Sequence, residues 1–193
     1  MKCVYQHGDL AGIPWVTTGD VLPKAAERIF SPHTKLFHWV LIADYIQAEN
    51  DYVILEAINP SGFRVGRLSW YCDYRVFRPT TTQQISIRTI RVRGQRACRS
   101  VTRYGRSGYD HGFIFRLPID VLVCWAKQFF TTGRCHAIRA EELPYKFNDR
   151  LCCTEAVVLA WRLVGIWIVP PGVKPLPCAI VAAINEGRLK EVT

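Results

Sequence analysis

The stretch LCCTEAVVLAWRLVG, residues 151–165, decides how the rest of the chain is read. It follows a polar loop, carries a strongly apolar helical pattern and closes on Gly165, a helix-end residue. A buried helix over Cys153–Val164 is therefore expected, with Cys153 on its first turn. Backbone N–H groups are unpaired there and the helix dipole is positive, so a thiol is biased toward thiolate. Far upstream, Phe37-His38-Trp39-Val40-Leu41-Ile42 sets one imidazole in a strand-like apolar run. A polarised thiol and a strand histidine are the minimum parts for cysteine nucleophilic catalysis.

Working outward from that helix, the N-terminal half reads as strands. Leu36–Ile46 predicts a strand buried on both faces, Tyr52–Ile58 a second, Phe63–Leu68 a third, and Tyr74–Phe77 a fourth stopped by Pro79. Short turns between them predict an antiparallel sheet. From Thr81 the pattern turns helical. A basic helix runs to about Arg103 with Gly94 as a soft point, and Leu117–Phe130 forms another with Pro118 in its first turn. Residues 24–30 make a helical turn or two, and Ala179–Leu189 a last short helix after Pro170-Pro171. Residues 1–18 are an irregular lead-in and 171–193 a C-terminal helical segment of one domain spanning 1–193. Strands first and helices afterwards indicate an α+β fold, an antiparallel sheet packed against helices.

Hydrophobic residues make up 49% of the 193 and charged residues 21%, which fits an ordered globular chain and argues against disorder. No apolar run reaches the roughly 18 residues of a membrane span. The start, MKCVYQHGDLAGIPW, lacks the apolar core of a secretion signal, so a cytoplasmic protein is expected. There are eight cysteines but no C-x-x-C pair, and Cys135 and His136 are adjacent rather than at ligand spacing. Cys98, Cys124 and Cys178 read as small core residues, and neither metal nor cofactor is expected.

The net charge of +9 is unevenly placed. No acidic residue occurs between Asp73 and Asp110, while arginines accumulate. At about 100° per residue, Arg88, Arg91, Arg96, Arg99, Arg103 and Arg106 share one helical arc. Ile87, Ile90, Ala97, Cys98, Val101 and Tyr104 take the other. That outer face is either a solvated surface or a site for phosphate polymers or acidic lipid heads.

Thiol chemistry also needs a base and a group that orients it. His38 supplies the base if its strand packs beside the cysteine helix. Glu56, between Leu55 and Ala57, is the orienting candidate: a carboxylate among apolar residues is costly unless paired, and an imidazole N–H is a natural partner. His111 competes most closely for the base role; His7, His33 and His136 lie in polar or loop contexts.

Five short motifs occur in order: Gly19-Asp20-Val21-Leu22, Phe37-His38-Trp39-Val40, Leu55-Glu56-Ala57, Gly108-Tyr109-Asp110 and Cys153-Thr154-Glu155. In this order the chain resembles the circularly permuted papain-like hydrolases of the NlpC superfamily, specifically the YiiX/YebB-like group, over about residues 19–180. The resemblance implies a permuted papain-like fold in which the histidine strand precedes the cysteine helix. It implies Cys153 as nucleophile, His38 as general base and Glu56 as orienting acid. Tyr109, Asp110 and Thr154 would line the substrate cleft, while Glu155 and Asp20 would be a first-turn helix charge and a turn cap. Phe37 stands where the family has a small residue, Thr154 where it has serine, and Cys152 is an extra thiol beside the nucleophile.

The expected activity is cysteine hydrolysis of an amide bond in a peptide or acyl conjugate. An inactive protein binding nucleic acid or another phosphate polymer through Arg88, Arg91, Arg96, Arg99 and Arg103 competes with it, although only Tyr104 is available among them for base stacking. A thiol acyltransferase using the same acyl-enzyme is the third reading.

Overall fold

The sheet of the computed structural model is antiparallel throughout, in the order β4-β3-β2-β1-β5-β6. The structure describes residues 5–14, 35–58, 61–80, 87–105, 108, 110–134, 138, 140–145 and 150–192, without the side chains of 87, 111–115 and 141. Its strands are β1 (Leu10–Ile13), β2 (His38–Ile46), β3 (Asp51–Ile58), β4 (Gly62–Arg67), β5 (Arg75–Pro79) and β6 (Leu189–Glu191). Four helices join them among the described residues: α1 (Ile87–Thr102), α2 (His111–Thr132), α3 (Cys153–Arg162) and α4 (Pro177–Asn185). The α+β class and the antiparallel sheet are as expected.

Alternation along the strands divides the core in two. Leu10, Trp39, Leu41, Leu55 and Phe77 face the helices, where they meet Ala97, Cys98 and Val101 of α1, Ala156, Val157, Ala160 and Trp161 of α3, and Ile180 and Ala183 of α4. Ala11, Ile13, Val40, Ile42, Ile54 and Val76 take the other face, in a smaller cluster with Leu68. The buried residues of α1 recur at 94, 97, 98 and 101, with the half-buried Ile90 one turn earlier, so its arginines point outward as the sequence pattern required.

Four expectations are corrected. The supposed irregular lead-in contains β1, which pairs with both β2 and β5 and lies near the middle of the sheet. Its four residues are fully buried, a setting that four letters of local pattern do not reveal. The C-terminal segment is not helical to its end: Gly187, at φ 74°, turns the chain out of α4, and Leu189 pairs with Pro79 in an edge strand. The second long helix begins at His111 rather than Leu117, which places Pro118 inside it. The N–H that proline lacks would have bonded one turn back, so the helix continues with one bond missing. Only His38–Ile42 of β2 is buried throughout; beyond a bulge between Ile42 and Asp44 the strand opens to solvent. The 24–30 turn, the Gly19–Leu22 motif and residues 81–86 of the basic helix lie outside the described residues.

Gly94 is a packing device, not a soft point. A Cβ there would lie 1.9 Å from the His7 carbonyl oxygen, and one on Gly8 would lie 2.6 Å from Gly94 Cα. These two glycines let α1 cross the chain entering β1 at backbone contact. Trp161 of α3 completes the junction by donating its indole N–H to the Gly8 carbonyl at 2.9 Å.

Candidate active site

Helix α3 opens with a capping box. Cys152 is the N-cap; its N–H donates to Glu155 Oε2 at 3.0 Å, and its side chain receives the Glu155 N–H. The N–H groups of Cys153 and Thr154 are not part of this box. Cys153, the first helical residue, is half-buried, with its thiol 4.0 Å from the Phe37 carbonyl oxygen. The thiol therefore sits at the start of β2, where His38 begins.

The two cysteines differ sharply. Cys152 is buried, its Sγ is 3.2 Å from Thr154 Oγ1, and burial followed by the charges of Glu155 and Cys153 raises its thiol well above the ordinary range. Cys153 instead neighbours His38 and helps to hold its proton. Of the pair, only Cys153 meets a base.

His38, Glu56 and Arg64 share one sheet face, because Glu56 and Arg64 are direct cross-strand partners and the β2–β3 register sets His38 one diagonal step from Glu56. His38 Nε2 donates to Glu56 Oε2 at 2.8 Å, which leaves Nδ1 as the ring nitrogen available to the thiol. Glu56 is entirely buried and fully satisfied. Its Oε2 also accepts the Tyr71 hydroxyl, and its Oε1 accepts from Arg64 Nε and Nη2, each at 2.9 Å. Gly66 belongs to this arrangement, since a Cβ there would lie 2.9 Å from Glu56 Oε1. Arg64 lies over the exposed ring of Trp70, 5.4 Å from its centroid, at the rim.

Burial is the largest influence on the His38 proton and favours the neutral ring, but the contacts with Cys153 and Glu56 outweigh it and raise the pKa to about 9. Burial likewise works to raise Glu56, yet the bonds from His38 and Tyr71 and the charges of His38 and Arg64 hold its carboxyl below the usual range. Burial and the adjacent carboxylate push the Tyr71 phenol up, so it remains a donor. At neutral pH the site therefore holds an imidazolium against the Glu56 carboxylate.

Of the expected residues, the structure brings Cys153, His38 and Glu56 together. Thr154, expected to face substrate, is instead 1% exposed with its hydroxyl on Cys152 Sγ. Asp110 is also buried, its N–H donating to the Leu151 carbonyl at 3.3 Å, and it acts on the site from behind through Glu155. Tyr109, Asp20, His33, His136 and the His111 side chain lie outside the described residues. His7 bonds the Ala43 carbonyl through Nδ1, at the far end of β2 and roughly 17 Å along the strand from His38. Sequence reading missed Arg64 and Tyr71. The turn around Asn59-Pro60-Ser61-Gly62 contains the signal for Arg64, because a symmetric hairpin there pairs position 56 with 64. No comparable signal exists for Tyr71, which reaches Glu56 from the turn after residues 68–70.

Among the described residues no group of three or more His, Cys, Asp or Glu side chains is placed to hold a metal ion. No family model matches the chain, and no curated protein matches it.

Proposed function

We propose that this protein is a cysteine hydrolase acting on an amide bond, on a permuted papain-like fold of the NlpC type. One observation carries the reading: His38 meets the Cys153 thiol and, through Nε2, a buried carboxylate at 2.8 Å. A nucleophile, a base and an orienting group are thus in series. The thiolate of Cys153 attacks the substrate carbonyl and forms a C–S bond, while the oxygen takes the negative charge. In this reading the N–H groups of Cys153 and Thr154, at the positive end of α3, receive that oxyanion. His38 gives its proton to the leaving nitrogen as the C–N bond breaks, leaving a thioester. A water molecule then attacks the thioester, its proton passes to His38, and the C–S bond breaks to release the acid and restore the thiolate–imidazolium pair. An amine or alcohol in place of that water makes the same intermediate an acyltransferase, which product analysis with added acceptor separates from hydrolysis.

The test is alkylation by a thiol-reactive probe at neutral pH. Labelling is expected at Cys153, lost in Cys153→Ala, retained in Cys152→Ala and slowed in His38→Ala. Equal labelling rates with and without His38 would remove the pair and the reading with it.

A second reading has its own observation. Arg64, Arg67, Arg75 and Arg78 of the sheet each meet a carboxylate, whereas Arg88, Arg91, Arg93, Arg96 and Arg99 of α1 meet none among the described residues. A cleft of about 400 Å³ runs between Arg93, Arg96, Arg99, Ser100, Leu163 and Val164. Such uncompensated charge suits a phosphate polymer. Binding to an oligonucleotide that falls steeply with salt and weakens in Arg96→Glu/Arg99→Glu supports it; salt-insensitive binding does not.

A further inference from the structure

The outward face of α2 is apolar and meets water. At about 100° per residue, Ile119, Leu122, Val123, Ala126 and Phe130 share one arc, with Phe129 at its margin. Leu122 and Val123 are each 61% exposed and Phe130 is 85% exposed, far beyond what isolated surface residues explain. The opposite arc docks the helix: Leu117 and Val121 enter the core, Lys174 bonds Asp120 at 2.7 Å, and Gln128 bonds Glu142 at 2.9 Å. Along one edge of the apolar stripe stand Arg116 and Lys127, both exposed. The sole acid of α2 is Asp120, and Lys174 already engages it.

We propose that this face of α2 docks the protein on an anionic phospholipid bilayer, with the helix lying in the headgroup plane. An apolar stripe with aromatic side chains and a basic margin is the pattern of an interfacial helix. No helix of the described residues is long and apolar enough to cross a membrane, so α2 lies on the surface rather than spanning it. Charge decides between lipid and a second copy of the chain. The chain carries +9, so two copies repel and a symmetric pairing sets one basic molecule against another. An anionic surface attracts the same margin. This inference is independent of the thiol chemistry and stands or falls separately from it.

The experiment is co-sedimentation of the full chain with vesicles of phosphatidylcholine alone and of phosphatidylcholine mixed two to one with phosphatidylserine. Binding is expected to the mixed vesicles and to be much weaker without the anionic lipid. Leu122→Asp/Phe130→Asp should weaken it by roughly tenfold or more, since each change removes a large side chain from the apolar phase. Arg116→Glu/Lys127→Glu should abolish the preference for phosphatidylserine. Val65→Asp alters an exposed apolar residue on the sheet and should leave binding unchanged. All of these positions are exposed, so the unfolding transition should not move. Absent binding, or binding that survives Leu122→Asp/Phe130→Asp, overturns the proposal. So does a dimer, seen by sedimentation velocity without vesicle binding, that the same variant dissociates.

Discussion

His38 keeps its proton well into the alkaline range, because its contacts with Cys153 and Glu56 outweigh its burial. The folded pKa of about 9 exceeds the ordinary 6.5, so the stabilisation is complete below 6.5 and disappears as pH rises through about 9. The same proton is the one given to the leaving nitrogen. Hydrolysis should therefore decline through about pH 9, a limb readable from a pH–rate profile. Glu56→Gln removes the charge that holds the imidazolium and should move that limb to lower pH. It should also destabilise the fold by about 3 kcal/mol in urea titrations, because it breaks a buried pair and leaves its partners uncompensated. Glu155 behaves in the opposite sense. Burial, helped by the charge of Asp110, raises its carboxyl to about 7 despite the bonds it accepts from Cys152 and Tyr145. Its ionisation thus costs stability as pH rises from about 4.5 to 7. Glu155→Gln, which can still accept the Cys152 N–H, should be more stable than the native protein at pH 8 and lose that advantage at pH 4. At this scale the sequence was informative where chemistry is conspicuous. A carboxylate between Leu55 and Ala57 asks for a partner but does not name it: Arg64, between Phe63 and Val65, and Tyr71, between Trp70 and Cys72, are brought to it by the fold.

Elements were legible in proportion to their length. The outward arginine arc of α1 and the apolar run of α3 each fill several turns, so their periods are unambiguous. The strand β1, LAGI, is too short for a period of two to register, and tertiary pairing on both sides makes it a strand. The three residues of β6 follow a helix closely enough to be absorbed into its pattern, and Gly187 is the physical break. Gly94 was legible as a glycine in a helix and not as a point of contact, because the other half of the junction lies 86 positions earlier, at Gly8 (94 − 8). Gly94→Ala should cost on the order of 3 kcal/mol, since the added methyl meets backbone that cannot turn aside. Its effect should appear in thermal unfolding and should exceed that of Gly133→Ala, whose added Cβ would meet nothing within 4 Å although φ there is 69°.

For the molecule as a whole, the titrations combine into one profile. Glu56 stabilises above its depressed range, His38 stabilises below about 9, and Glu155 costs stability above about 4.5. Denaturant midpoints should consequently peak at mildly acid pH and fall as pH rises, first through about 7 as Glu155 ionises and then through about 9 as His38 loses its proton, rather than peak near the pI of about 9.3. Chain order is the other whole-molecule property, and it follows from β5. Leu10 and Glu191 are both partners of Phe77, one on each side, so the two extremities of the sheet's chain are separated by two strand spacings, about 10 Å. A few added residues would bridge that gap, and the backbone could then be opened at the exposed turn of Gly133 and Arg134. The relinked polypeptide would carry its thiol ahead of its imidazole and still assemble the same neighbours. Which of the two a ribosome writes first is a matter of where a nearly closed ring happens to be cut.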